Sequence, residues 1–571
     1  MPAIGLRAFE HDLLPGMTFL MGHRAQNRLG CSIRPRGLSE RYVMEIRKRW
    51  RSRLSIVVAI SLALAAMAVA EASTPPPSDG SSDGITTHPG CERLDTHACL
   101  DLALTAMGGR DKLADIGNVQ LDVIGHTALT EQSYRQAPFI ASYERDQLIV
   151  DFDKGRLLNR SHGVWPEADP HQSESDLTLI ATTQNCLYRA KDGDSPCSLG
   201  DLDDTRARLA LGPERLLLTA MAAPDLHYAD GEWLRSTAHS VLEFSWNGQP
   251  VRVLINPFNH LPDAVERTTT FQDFWFAWGD VEQRVYYDNW KVMHGVVLPT
   301  NRIEQRNGVL WQSMQILDAS FNAKLDDKAF TMDPAVAAKV TQSKGWNRDF
   351  SDQHHVELAP GIELYRGSWN ATLIKQDDGV LVLEAPISPH YVQGVLAKAR
   401  STFPGAPVTG VLSTSDSWPH MAGVREAVAE GLPVYILDLN QPLLDRLVAA
   451  PHRLQPDRLQ SAPKSPEWRV VSGKQEIGTG PNRALVYPLR GASTERQFMV
   501  YFPGHKLLYA SDTLALNADH TLYDPELMRE VVQAVAREHL QVDTVFAMHE
   551  GPTPWRDVVG KVDAAMKPAG Q

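Results

Sequence analysis

Apolar and polar positions change their rhythm twice along this chain. A short helix reads from about Asp101 to Gly108-Gly109. From there to about Pro334, apolar residues alternate with polar ones in short runs, the period-two signature of half-buried strands. Residues 241–246, 251–255 and 309–317 are examples, and Asn247-Gly248 and Asn307-Gly308 mark two-residue hairpin turns. Seven of the 13 tryptophans fall between Trp165 and Trp311. Aromatics in strands usually fill a core, and enclosing an apolar cavity is the alternative. From about Val356 the pattern becomes strands alternating with helices. Strands are expected at 372–375, 380–383, 408–412, 434–437, 484–487, 498–502, 506–510 and 542–548. Helices are expected at 391–399, 422–429 and 525–538, with a long polar loop at 451–466. That order predicts a layered α/β region with two sheets covered by helices.

At 571 residues the chain exceeds one ordinary core, so two or three domains are expected. The formal net charge of −13 is unevenly spread, because the first 70 residues hold eleven Lys/Arg against four Asp/Glu. The remainder is strongly acidic, which excludes the basic face that a nucleic-acid binder needs. The basic excess includes Arg47, Lys48, Arg49, Arg51 and Arg53, followed by an apolar run from Leu54 to Ala70. Small-x-small sites at Ala68-Val-Ala70 and Ala70-Glu-Ala72 complete the pattern of a secretory signal, with an uncleaved anchor as the alternative. Met44 directly precedes the basic cluster, so 1–43 reads as an upstream extension, 44–72 as signal peptide and 73–90 as a Ser/Pro/Gly linker. No stable transmembrane segment is expected after cleavage, and the location is periplasmic or secreted.

Cys31 lies in the upstream segment, and four cysteines remain beyond it as two close pairs. An oxidising compartment favours disulfides, and short loops favour Cys91 with Cys99 and Cys186 with Cys197. A four-thiolate zinc site is the alternative, without a Cys-x-x-Cys unit to support it.

Two resemblances organise these readings. Ala106-Met-Gly-Gly109, His294-Gly-Val-Val-Leu-Pro299 and Leu317-Asp-Ala-Ser-Phe321 resemble pieces of periplasmic lipoprotein-carrier-like domains. That resemblance implies a curved antiparallel half-barrel over 91–340 enclosing an apolar cavity. The segment Val411-Leu-Ser-Thr-Ser-Asp-Ser-Trp-Pro-His-Met-Ala-Gly423 resembles the signature loop of the metallo-β-lactamase fold, Thr-His-x-His-x-Asp-His-x-Gly-Gly. Residues 379–386, 431–435, 498–503, 507–512 and 542–549 follow in the family's order. The implied fold class is α+β multidomain, with a metallo-β-lactamase-type αββα sandwich over 356–571.

The family's metal ligands carry over only in part. Its three-histidine site maps to Ser415, Ser417 and Ser493, and neutral hydroxyls are poor zinc ligands. Its second site maps to Pro419, His420 and His549, with Asp512 as the bridging carboxylate. His420, Asp512 and His549 could hold one zinc or other divalent metal, and Asp512 is the catalytic candidate. An empty site is the alternative. Asp416 is a further candidate for a fourth ligand or base, and Ser415 or Ser417 beside His420 and Asp512 is a candidate serine nucleophile, without a nucleophile elbow to support it. His354-His355 and His505 read as surface residues.

The resemblances imply an exported hydrolase-like protein with at most one metal. The alternative is a catalytically inactive scaffold, a pseudoenzyme, that binds an apolar, lipid-like ligand or a partner protein. β-Lactam hydrolysis is the least expected activity, because one fold hosts many chemistries.

Overall fold

The computed structural model describes residues 87–130, 139–165 and 173–567. The upstream segment, the signal, Cys31 and most of the linker lie outside the described residues. From Thr87 onward the described residues belong to one compact unit. Among them no helix is long and apolar enough to cross a membrane.

The first half is a 13-stranded sheet in which every pairing is antiparallel. Strands follow their chain neighbours, except that Asn118–Thr127 also pairs with the last strand, Val309–Phe321. The sheet stays open, with Gly193–Pro196 and His227–Leu234 at its edges. Between those edge strands the chain forms two helices, Leu199–Leu211 and Leu216–Ala222. The first starts on a capping box in which Ser198 and Asp201 satisfy each other's backbone N–H groups. Asn247-Gly248 and Asn307-Gly308 have positive φ at both positions, as tight hairpin turns require. Arg235-Ser236 does the same without the usual residues. The opening helix is longer than its sequence pattern suggests. It runs Thr96–Ala106, because the Asp95 side chain caps the Ala98 N–H. Both expected disulfides are present, Cys91–Cys99 and Cys186–Cys197.

The second half contains a seven-stranded and a six-stranded sheet. Inner strands such as Val380–Leu383 and Phe498–Phe502 are buried on both faces, so they read as continuous apolar runs. In Val380–Leu383, Leu381 and Leu383 face the six-stranded sheet while Val380 and Val382 face helices. In Phe498–Phe502, Phe498, Val500 and Phe502 face the seven-stranded sheet, and Met499 and Tyr501 face helices on the other side. Helices Pro389–Thr402, Val424–Glu430 and Gln441–Ala449 cover one outer face, and Pro525–Arg537 and Trp555–Ala565 the other. The loop expected at 451–466 contains a short helix, Arg458–Ser461, capped by Asp457. Asp457 is fixed in turn by the fully buried Arg425, at 2.5 and 3.0 Å. Strand Glu467–Val471 escaped the sequence pattern because its polar Glu467, Trp468 and Arg469 lie along a sheet edge.

The two halves share a core. A 3-10 turn, Phe274–Trp278, leaves the long sheet and packs on the second half. Trp418 receives the edges of Trp275 and Trp278 at centroid distances of 4.8 and 5.1 Å. Of the tryptophans read as core fillers, Trp275, Trp278 and Trp311 pack in the core that joins the halves, Trp246 and Trp290 pack against the core of the first half, and Trp233 is exposed.

Candidate metal centre

Strand Val408–Ser413 is a central parallel strand of the seven-stranded sheet. Beyond its carboxyl end the chain turns through Thr414–Ser417 into two short helices, Trp418–Met421 and Val424–Glu430. Residues 411–429 are buried throughout, so this loop is packed as tightly as the strand that feeds it. In the six-stranded sheet, Leu507–Tyr509 and Thr544–Phe546 run parallel. Their carboxyl ends lead to Asp512 and His549. Three strand ends from two facing sheets therefore deliver His420, Asp512 and His549.

Nε2 of His549 lies 3.1 Å from Asp512 Oδ1, and Nε2 of His420 lies 3.4 Å from the same atom. One ligand atom from each residue falls within 4.8 Å of the others. Ligands on a tetrahedral zinc, at about 2.0–2.1 Å from the ion, sit roughly 3.4 Å apart. Two imidazole nitrogens and one carboxylate oxygen at this spacing fit a single divalent ion with a coordination position left over. His549 Nδ1 donates to the backbone carbonyl of Ser368 at 3.0 Å. A carbonyl only accepts, so Nδ1 carries a proton there and Nε2 faces the centre, the outer support that metal-binding histidines use. His420 is 2 % exposed, and burial pushes its imidazole down to about 4, with Asp512 pulling the other way. It is therefore neutral near pH 7 and available as a ligand.

The remaining signature positions do other work. Ser415 Oγ lies 3.4 Å from His420 Nδ1 and accepts the Ser417 N–H at 3.2 Å. Ser415 thus places a hydroxyl beside the neighbouring imidazole. Pro419 contributes only its carbonyl, which accepts from Ile387 N at 2.7 Å. The Ser493 N–H donates to Glu530 on helix Pro525–Arg537 at 3.1 Å. Asp416 is fully buried and pairs with Arg496 Nε at 3.8 Å rather than joining the trio. Of the histidines read as surface groups, His355 pairs with Glu363, and His505 Nε2 is half-buried 2.7 Å from Asn482 Oδ1.

Several residues at the centre had no signature in the sequence. Glu384, at the end of strand Val380–Leu383, is fully buried with φ of +76°. It accepts from Thr414 Oγ1 and, at 3.1 Å, from the Tyr509 hydroxyl, and Thr414 meets Ser511 Oγ at 2.7 Å. Burial drives the Glu384 carboxyl up to about 8. This network ties the strand before the signature loop to the residue preceding Asp512. A lone acid closing a wholly apolar strand was the available clue. Trp369 also escaped notice. Its ring meets His549 at 6.2 Å, next to the Ser368 carbonyl that holds the same histidine.

No protein-family model and no curated protein matches this chain. Solved structures that resemble it include the stereoselective inverting sec-alkylsulfatase Pisa1 from Pseudomonas sp., at 13% identity and a TM-score of 0.28. That match covers 37% of this chain and only 40% of the sulfatase. The DIM-1 metallo-beta-lactamase matches at 15% identity and a TM-score of 0.30, over 38% of this chain and 97% of its own. A LolA superfamily protein from Nitrosomonas europaea matches at 14% identity and a TM-score of 0.29, over 42% of this chain and 98% of its own. The neighbours of this mixed α+β chain are thus metallo-β-lactamase-fold proteins and a LolA-like protein, each over part of its length.

Proposed function

We propose that this chain is an exported metallo-β-lactamase-type protein, hydrolase-like, with a single-metal centre formed by His420, Asp512 and His549. In this reading 356–571 is an αββα sandwich and 91–340 a carrier-like half-barrel. The observation that carries it is the convergence of the trio from three strand ends, with His549 already oriented by a backbone carbonyl. A bound divalent ion would acidify a water or polarise a carbonyl at the open position. The chain's own contributions are separable. His420 and His549 present ring nitrogens, Asp512 supplies a carboxylate oxygen between them, and Ser415 Oγ lies beside the His420 ring. The three-histidine site is absent in this reading, because Ser415, Ser417 and Ser493 cannot replace imidazoles. Export is supported by the two disulfides together with the basic and apolar segments before Ala72.

A second reading is an inactive scaffold that binds a small or lipid-like molecule. Its support is that both imidazoles stand within 3.4 Å of Asp512 without an ion and are held from outside, His420 beside Ser415 and His549 on the Ser368 carbonyl. The experiment that separates the two is zinc, manganese or iron titration, followed by an ester and phosphoester screen with and without chelator. Stoichiometric binding and chelator-sensitive turnover support the hydrolase. Neither would support the scaffold.

A further inference from the structure

The three most exposed large hydrophobic side chains among the described residues share one end of the long sheet. They are Phe258 at 84 %, Val292 at 75 % and Trp233 at 67 %, and no other exceeds 50 %. Single exposed apolar residues are ordinary, so it is the placement that carries meaning. Trp233 lies two residues before the Arg235-Ser236 turn, Phe258 in the loop 256–261, and Val292 two residues before the His294-Gly295 turn. These turns join His227–Leu234 to Thr237–Trp246, Gln249–Ile255 to Pro262–Thr269, and Val281–Met293 to Val296–Arg306. The six strands are consecutive and antiparallel, so alternate turns fall at the same end. Neighbouring turns there are two strands apart, roughly 10 Å.

The rim holds these side chains out on fixed turns. Asn256 Oδ1 accepts from the Phe258 N–H at 2.9 Å, its Nδ2 donates to Asp263 at 2.7 Å, and Asn259 Oδ1 accepts from the Leu261 N–H at 2.9 Å. Arg235 forks onto Asp288 at 2.5 and 2.8 Å, which ties the first hairpin to the strand that carries Val292. Lys112 Nζ reaches the Gly295 carbonyl at 3.4 Å. Apolar groups on fixed tips lose little freedom when they are buried against something else. Tips roughly 10 Å apart with polar turns between them offer no continuous groove to a protein partner. They suit a bilayer surface, where aromatic side chains settle at headgroup level. Lys112, Arg235 and Lys291 stand at this end with Glu92, Asp111 and Asp288, so apolar burial rather than charge has to carry the contact. The upstream chain joins the fold at the same end. The Pro89 carbonyl accepts from Ser240 Oγ at 2.9 Å, and Gly90, with φ of +82°, lies against the Pro257 backbone next to Phe258. Residues 71–86 separate Thr87 from the apolar run 54–70, at most about 55 Å of extended chain.

We propose that this rim rests on a lipid bilayer, with Trp233, Phe258 and Val292 inserted at the boundary between headgroups and acyl chains. The contact is apolar, so a zwitterionic surface suffices. It does not depend on metal at His420, Asp512 and His549, which belong to the other half.

The full chain mixed with phosphatidylcholine vesicles tests this, using a polarity-sensitive fluorophore on an introduced cysteine in a Cys31→Ser background. Ser236→Cys places the label on the rim beside Trp233, and Ser465→Cys places it on an exposed loop of the second half. The expected result is a blue shift at 236 and quenching there by spin-labelled phosphatidylcholine, with neither at 465. Because the comparison is between two positions of one chain, it holds whether or not the leader also meets the lipid. Trp233→Ser combined with Phe258→Ser should cut the quenching at 236 about tenfold, the effect expected from losing two buried rings. Val292→Ser gives a milder, few-fold loss. All three side chains are exposed, so these variants should keep the circular dichroism of the wild type. Salt at about 0.5 M should leave the quenching unchanged, since it screens charge and not apolar contact. No quenching at 236, equal quenching at 236 and 465, quenching that survives the double variant, or quenching abolished by salt would each overturn the proposal.

Discussion

Glu384→Gln gives the sharpest physical test of the interior beside the candidate centre. The Glu384 carboxyl is fully buried, and burial raises it from an ordinary 4.5 to about 8. A raised acid binds its proton in the folded state while the unfolded chain has already lost it. The stability associated with that proton is complete below about pH 4.5 and is lost as pH rises through 8. Within that window stability should fall by up to about 1.4 kcal/mol per pH unit from this group alone. Summed over the window, the loss is a few kcal/mol, a large share of a typical domain's margin. Glutamine keeps the shape and cannot ionise, so its Oε1 can accept from Thr414 and Tyr509 as the carboxyl does. Urea unfolding of wild type and variant between pH 5 and 9, with chelator present, measures the difference. The variant should gain on the wild type steadily as pH rises, and be the more stable protein by pH 8.5. Parallel stability curves would show that Glu384 does not hold its proton in the fold.

Other expectations follow from the same packing. Trp418→Ala removes the ring on which Trp275 and Trp278 rest, and should cost about 3–5 kcal/mol, seen as a lowered urea midpoint or separate unfolding of the halves. Arg425→Ala leaves Asp457 buried without its partner and exposes three backbone carbonyls to the gap, at a cost of about 3–5 kcal/mol by thermal or urea unfolding. Replacing Cys186 and Cys197 together by Ser should cost about 2–4 kcal/mol, and a reductant should destabilise the wild type but spare the variant that contribution.

What the sequence made legible was set by local pattern. Asn-Gly turns and period-two runs revealed the strands of the long sheet, because hairpin geometry is decided by adjacent residues. Apolar runs such as 380–383 and 498–502 revealed the buried strands, and the order of the pieces pointed to His420, Asp512 and His549. The cysteine pairs were legible from spacing and compartment. What stayed hidden depends on contacts between distant segments. Nothing local shows that Glu384 would meet Thr414 and Tyr509, or that Ser415 would turn to His420. The Trp275 and Trp278 side chains read as strand aromatics, yet they sit on a 3-10 turn against Trp418, some 140 residues onward. The helix Arg458–Ser461 was hidden because its cap, Asp457, is fixed by Arg425 from another helix.

The central claim is that the trio holds one metal ion. Metal content of the purified chain after incubation with zinc, manganese or iron, beside a His420→Ala, His549→Ala double variant of unchanged circular dichroism, tests it most directly. The account predicts close to one ion per wild-type chain and none in the variant. No ion in the wild type, or the same content in both proteins, would contradict it.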